Sequence, residues 1–524
     1  MSSYFAHRKA CVSKQLERKS KLDSLPAEYS TPCTDHDNKI LSLSLTQLVA
    51  QSDGDSISPS AILSAYGKRC VSAQAATNCL TDVMFDEAER VFAPGKPLSG
   101  VPVSLKDCVD IAGHDTTLGY SASANRPAQI SAPIVHLLQD AGALIHAKTT
   151  VPTGLLSFEC SSDLFGTTTN PYNPEFSPGA STGGGAALLA YQGSMVELAQ
   201  ILAVARAIPP RIVGCMETVA WICARGSTIT RVYRYRGRPV DFVLAGRKPK
   251  FGVIWDDGVI PPTPACARAL AEVVNTLKKQ GHEVIDFSPP SPTEILKIGF
   301  QLTLADGGLS LTNPLRTGES ISPASGTVLS LIKLPRFWKR WCAALLRLTS
   351  RPVGRNEAWA SLLEVFHTAS VAEERELIVQ KERYKAAWHR AWRDQELDFV
   401  LTVPHALPPI PKNKSATEKA TLVSANYTFL YNILDCTAGV QPVAFVDETL
   451  DSRPADFQQS AAYRNMNDIA RAVHDLYDAK AMHGLPLAVQ VVGRRLEEEK
   501  VLEGMKVVER ALWETGRGFV PKRF

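Results

Sequence analysis

Gly100-Val-Pro-Val-Ser-Leu-Lys-Asp107 sets a short apolar run, entered through a glycine, directly before a lysine and an aspartate. Such a run reads as a buried strand that delivers its last side chains to one end. Working outward, Ala132 to Asp140 has helical spacing and is closed by Gly142, and Ala143-Leu-Ile-His-Ala147 reads as the next strand. The pattern recurs downstream. Phe251-Gly-Val-Ile-Trp255 reads as a strand, Pro264 to Gln280 as a helix ended by Gly281, and Glu283-Val-Ile-Asp-Phe287 as a strand. Val371 to Asp394 reads as a long charged helix, and Leu397 to Val403 and Leu485 to Val492 as further strands. This alternation predicts an α/β fold with a mostly parallel sheet covered by helices. Sites in such folds lie at the carboxyl ends of strands, which is where Lys106 stands.

Composition narrows the class. The chain has 524 residues, 45% hydrophobic and 21% charged, which is an ordinary globular balance with enough length for a large core. A net charge of +4 gives no global argument for nucleic acid or membrane binding. The 11 cysteines are scattered without a Cys-x-x-Cys pair, which favours thiols in a reducing compartment over disulfides. Residues 1–26 are polar and lack an apolar segment of signal-peptide type, so a cytoplasmic location is expected. Val328 to Leu348 is the most apolar long stretch, but Lys333, Pro335, Arg336, Lys339, Arg340 and Arg347 break it. It cannot span a membrane and reads as a basic amphipathic surface helix.

The chemistry concentrates elsewhere. Ser177-Pro-Gly-Ala-Ser-Thr-Gly-Gly-Gly-Ala-Ala187 places two hydroxyls on a glycine-rich turn that runs into an apolar helix-forming segment. One reading is a helix start capped by Ser181 or Thr182; the other is a site where a ligand approaches the backbone closely. Lys106 has the same two sides. It is a solvated charge, or a buried lysine whose amine is neutral and can act as the base for a serine nucleophile. The turn lacks the Gly-Lys-Ser/Thr ending of a phosphate loop. No His-Glu-x-x-His zinc motif occurs.

Leu98-Ser-Gly-Val-Pro-Val-Ser-Leu-Lys-Asp107, Ala141-Gly-Ala-Leu-Ile-His-Ala-Lys-Thr149, Gly166-Thr-Thr-Thr-Asn-Pro-Tyr-Asn173 and Ser177-Pro-Gly-Ala-Ser-Thr-Gly-Gly184 follow one another in order. Together they resemble the amidase signature family. Lys250-Phe-Gly-Val-Ile-Trp-Asp-Asp-Gly258, His483-Gly-Leu-Pro-Leu-Ala-Val-Gln-Val-Val-Gly493 and Glu497-Glu-Glu-Lys-Val-Leu502 are similar to its fungal acetamidase-type branch. The resemblance covers nearly the whole chain except about 195–245. It implies an α/β fold with a large mixed β-sheet core covered by helices on both faces. It also implies an N-terminal helical segment over 1–90 packed on a catalytic domain over 91–524. The implied reaction is hydrolysis of a carboxamide through a Ser–cis-Ser–Lys triad. Lys106 corresponds to the base and Ser181 to the bridging serine preceded by a cis peptide, with Thr182, Gly183 and Gly184 shaping the substrate and oxyanion loop. The implied partner is a small-molecule amide, with no nucleic acid, no metal and no organic cofactor. The resemblance is compatible with a homodimer.

Two departures from the family pattern stand out. The usual Gly-Gly-Ser-Ser-Gly-Gly is here Gly-Ala-Ser-Thr-Gly-Gly. The family nucleophile lies 24 residues beyond the bridging serine, at the end of Gly-Thr-Asp-Ile-Gly-Gly-Ser, and that count arrives at Ala205. No serine lies between Ser194 and Ser227. Back-translation offers a reason. Read from the third base of each codon, Leu198 to Ala205 permits Gly-Thr-Asp-Ile-Gly-Gly-Ser, with the serine codon straddling Val204 and Ala205. The same frame continues through Ala205 to Glu217 as Thr-Arg-Tyr-Pro-Ala-Ala-Asn-Cys-Gly-Val-Tyr-Gly, and Met216 followed by Glu217 forces the last glycine. A frame slip near Met195, restored before about Phe242, accounts for this pattern.

Composition points the same way. Arg206 to Arg238 holds seven arginines, no lysine and one acid, Glu217. The competing readings are a basic surface insert and a nucleic-acid patch around Tyr233 and Tyr235. The sequence thus leads to the family's fold with a disordered or misfitted stretch at 195–245 and little or no amidase activity in the chain as written. An amidase-like binding or regulatory protein and a subunit of a transamidating complex are the rival functions.

Overall fold

The computed structural model describes residues 2–54, 56–199, 222–223, 247–349, 356–412, 422–522 and 524. Of the anomalous stretch 195–245, only 195–199 and 222–223 fall among them, so Ala205 lies outside the described residues.

Twelve strands are described. They are β1 (Leu80–Val83), β2 (Pro102–Lys106), β3 (Leu144–Thr149), β4 (Ser161–Ser162), β5 (Gly166–Thr167), β6 (Val196–Leu198), β7 (Ile222–Cys223), β8 (Phe251–Val253), β9 (Val284–Asp286), β10 (Phe399–Thr402), β11 (Ala438–Phe445) and β12 (Pro486–Val492). Ten of them form two five-stranded sheets, in the orders β1-β3-β2-β6-β7 and β11-β12-β10-β8-β9, and β4 pairs with β5. The mixed α/β fold expected from the sequence is therefore present.

The expectation of mostly parallel pairing holds only in part. Parallel pairs are β2 with β3 and β6, and β8 with β9 and β10. These include the strands joined by crossover helices: Pro133–Asp140 lies between β2 and β3, and Pro264–Lys279 between β8 and β9. Antiparallel pairs occupy the rims, β1 on β3 and β7 on β6 in the first sheet, β11 on β12 and β12 on β10 in the second. Reversal of direction needs no crossover helix, and antiparallel neighbours close a sheet edge without one.

Each sheet has its own apolar core. Val103, Leu105, Leu144, Ile145, Val196 and Leu198 join one cluster with side chains of the N-terminal helices. Phe251, Val253, Phe399, Leu401, Val489 and Val491 join a larger one that includes Trp388 and Trp392 from the helix Val371–Asp394. A backbone seam connects the halves: the Ser177 N–H donates to the Ile410 carbonyl at 2.9 Å and that of Lys412 to the Glu175 carbonyl at 2.7 Å. This seam anchors the segment that leads into the glycine-rich turn. The stretch Val328 to Leu348 divides into two helices, Pro323–Lys333 and Arg336–Thr349, because Pro335 lacks the N–H that would continue the first. Val328, Leu329 and Ile332 are buried, so the surface character is confined to the second helix.

Candidate active site

β2 ends on Lys106, whose side chain is fully buried. Side chains two apart on a strand share a face, so Ser104 and Lys106 point the same way. In register, Lys106 pairs with Thr149 of β3 and Ser104 with Glu197 of β6. Three adjacent strands thus converge on one patch. Asp107, the next residue, leaves it: its carboxylate takes Lys148 Nζ at 2.9 Å and the Thr117 hydroxyl at 2.5 Å, forming a buried ion pair.

The glycine-rich turn arrives from the opposite side. Lys106 Nζ lies 2.6 Å from Ser181 Oγ, across 75 residues of sequence. The Ala180–Ser181 peptide bond is cis, and Gly179 before it takes a φ of +95°, a region natural to glycine. The helix Gly183–Ala190 follows, with Thr182 at its N-cap position. The capped-start reading is corrected here, since the Thr182 side chain makes no cap hydrogen bond and Ser181 Oγ is engaged by Lys106.

The glycines have a physical reason. A Cβ on Gly183 would stand 2.5 Å from Cys160 Cβ. One on Gly184 would collide with the Thr150 N–H and Oγ1 and the Cys79 carbonyl, and one on Gly185 would stand 2.5 Å from the Glu197 carboxyl group. Only a helix start without side chains can lie this close to β3, β6 and the loop before β4. Thr182, Gly183 and Gly184 are buried beside the pair rather than on the surface.

Electrostatics follow burial. Desolvation holds the Lys106 amine below the ordinary lysine range, because the charged form loses more by leaving water. Glu197, which sequence reasoning missed, is fully buried on β6 and accepts hydrogen bonds from Ser104 Oγ and, at 2.6 Å, from Thr149 Oγ1. Burial pushes its carboxyl up to about 7 despite those bonds and the nearby Lys106 charge. Its one local signal is an isolated acid inside the apolar run Met195 to Val204. Burial likewise raises the Cys160 thiol, so that sulfur sits as a neutral group against Gly183. Among the described residues, no group of three or more His, Cys, Asp or Glu could hold a metal ion.

The family profile described as Amidase matches residues 61–199 and 239–502. This chain belongs to the amidase family. Within it, the amidase is 32% identical over 522 residues to fatty-acid amide hydrolase 1 of Sus scrofa, covering 90% of this chain and 86% of the relative. It is 25% identical to the acetamidase of Aspergillus oryzae, covering 95% and 96%. A solved structure of a fatty acid amide hydrolase superposes with a TM-score of 0.76 at 20% identity, covering 97% and 96% of the two chains, a likeness of fold. Members of this family hydrolyse amides, and the two halves described above are the family's shared scaffold.

Proposed function

We propose that this amidase scaffold is built to hydrolyse a carboxamide to a carboxylic acid and ammonia or an amine, with Lys106 as base and Ser181 as relay, and that the chain as written lacks the nucleophile. The observation that carries the reading is the 2.6 Å approach of a buried, desolvated lysine to the hydroxyl of Ser181 beside three consecutive glycines. In the proposed reaction the neutral Lys106 amine accepts the Ser181 proton while Ser181 accepts that of the attacking hydroxyl. The new C–O bond forms, and the C–N bond breaks as the relayed proton returns through Ser181 to the leaving nitrogen. Water then opens the acyl-enzyme by the same relay. The relatives' names, acetamidase and fatty-acid amide hydrolase, support candidate substrates that run from short to long acyl amides.

The attacking hydroxyl is what Ala205 cannot supply. The two matched segments of the family profile stop at 199 and resume at 239, bracketing the arginine-rich stretch whose shifted frame permits Gly-Thr-Asp-Ile-Gly-Gly-Ser. That substitution also favours a second reading, an amidase-like protein that binds an amide without turning it over.

The test compares the chain as written with a chain carrying the shifted-frame sequence from 197 to the point of restoration. The expected result is amide hydrolysis and labelling by a serine-directed fluorophosphonate in the restored chain only. Lys106→Ala and Ser181→Ala should each lower the restored rate by about a thousandfold or more. Turnover by the written chain at the restored rate would overturn the loss of the nucleophile. Indifference of the restored chain to Lys106→Ala would overturn the triad. Binding of an amide without turnover by the written chain would support the second reading.

A further inference from the structure

The helix Ser2–Asp23 turns its charge inward. At 100° per residue, His7, Cys11, Lys14, Arg18 and Lys21 fall within an arc of about 80°, and His7, Cys11 and Lys14 are buried. Phe5, Val12 and Leu16 fall within about 40° on the opposite side and are exposed, at 63%, 53% and 60%. A surface helix ordinarily seats itself through its apolar stripe. Here the apolar part of the seat is small: Ala10 and Cys11 lie against Ala124, Leu164 and Phe165, and Leu22 packs at the far end beside the cluster of Tyr29. Polar contacts hold the rest. Arg18 Nη1 donates to the Leu80 carbonyl at 2.9 Å, and Arg316 Nη1 reaches across to the Ala6 carbonyl at 3.1 Å.

Two of the cations converge on one loop. Lys14 Nζ pairs with Asp115 Oδ2 at 2.7 Å. Lys21, two turns further on, pairs with Asp82 Oδ1 at 2.7 Å, and the other oxygen of Asp82 holds His114 Nδ1 at 2.8 Å. His114 and Asp115 are neighbours in the loop that leaves β2 after Lys106. The Asp115 carbonyl accepts from Lys148 Nζ, and Lys148 pairs with Asp107 at 2.9 Å. The loop closes on that same aspartate, since the Leu118 N–H donates to the Asp107 carbonyl at 3.1 Å. An unbroken run of buried polar contacts therefore leads from Lys14 to the residue beside Lys106. Buried pairs of this kind hold their geometry, because opening one strands a charge away from water. Burial alone would depress the Lys14 amine, but its bonds to Asp115 and Glu17 hold it above the ordinary lysine range, so the cation stays charged in its seat.

We propose that the helix Ser2–Asp23 is an ionic clamp on the loop 107–118, in which Lys14 and Lys21 are positioning residues that keep Lys106 dry and aimed at Ser181. The clamp itself is a property of the fold; its effect on the reaction rests on the reading of Lys106 as the base.

The first test is amide hydrogen exchange on the full chain as written, which needs no activity. The double variant Lys14→Met, Lys21→Met should speed exchange over 108–118 by about tenfold or more and leave β10 and β12 unchanged. Lys19→Met, which removes an exposed cation paired only with Asp23 on the same helix, should change neither. The second test uses the chain with the shifted-frame sequence restored. Its rate needs the neutral amine, so the acidic limb of its kcat/KM profile reports Lys106. Water admitted by a loosened loop raises that amine toward its ordinary range, and Lys14→Met should move the limb to higher pH by about half a unit or more. Lys14→Arg should return it. Through space alone, loss of the Lys14 charge and loss of the Asp115 charge act on the amine with opposite signs, whereas loosening acts with one sign. Asp115→Asn should therefore move the limb the same way as Lys14→Met. Unchanged exchange over 108–118, acceleration that includes β10 and β12 equally, or limbs that move in opposite directions would each overturn the proposal. Indifference of the restored chain to Lys106→Ala would instead sink the catalytic reading, and the exchange result would still decide the clamp.

Discussion

Glu197 is fully buried between Ser104, Thr149 and Gly185, in a patch that otherwise holds hydroxyls, glycines and one lysine. A charge there costs desolvation that its two hydroxyl donors do not offset, and the folded carboxyl keeps its proton up to about 7, against 4.5 ordinarily. The stabilisation from this raised pKa is complete below pH 4.5, is lost as pH rises to about 7, and is constant above that. Glu197→Gln keeps the shape of the neutral acid and cannot ionise. Measured as urea-unfolding free energy, the native chain should fall relative to Glu197→Gln by about 3 kcal/mol between pH 4.5 and 7. Parallel profiles would show that the carboxyl ionises in the fold at its ordinary pH.

The helix Gly183–Ala190 owes its position to absent side chains rather than to a cap. Gly184 is pressed against the backbone of Thr150 and Cys79, which cannot rotate away as a side-chain tip can. Gly184→Ala should destabilise by about 3 kcal/mol. Gly326→Ala, in the middle of the helix Pro323–Lys333 with nothing within 4 Å of its added Cβ, should stabilise by about 0.5 to 1 kcal/mol. Opposite signs in two helical glycines, read from urea midpoints, check the packing directly. Matching signs would remove the close approach as the reason for Gly184. Elements of this kind were legible in the sequence wherever the signal is local. The apolar runs and glycine stops gave β2, β3, β8, β9 and their crossover helices to within about two residues, the usual uncertainty of element ends. Pro335 was visible too, and the split of Val328 to Leu348 follows from it; that Lys339 folds back onto the preceding helix end was not visible. What stayed hidden was register. That Ser104 lies opposite Glu197, and that Asp107 turns to Lys148 and leaves Lys106 to Ser181, are consequences of strand order that no short window encodes. The pairing of Lys106 with Ser181 was reached through family resemblance, not through spacing.

Two sheets with separate cores are joined by a backbone seam at 175–177 and 410–412, which leads into the glycine turn. Each unit buries an acid that desolvation holds at about 7. Glu197 lies in the first, and Asp257, just beyond β8, in the second, where it accepts the Val259 and Ile260 N–H groups at 2.8 and 2.7 Å. Burial pushes Asp257 up to about 7 as well, against 3.8 ordinarily. Its stabilisation is therefore complete below pH 3.8 and lost as pH rises to about 7, the same direction as for Glu197. The groups that act on Glu197 are Ser104, Thr149 and Lys106, whereas Asp257 responds to Asp256, Asn426 and the backbone of 259–260. With no common neighbour, the two titrations should be independent. The relative pH profiles of Glu197→Gln and Asp257→Asn should add in the double variant to within about 0.5 kcal/mol at every pH from 4.5 to 8. A departure above about 1 kcal/mol, confined to the window where the acids ionise, would mean that charge in one half is felt in the other. The seam would then transmit electrostatic strain to the turn that carries Ser181, and the two cores could no longer be treated as separate units.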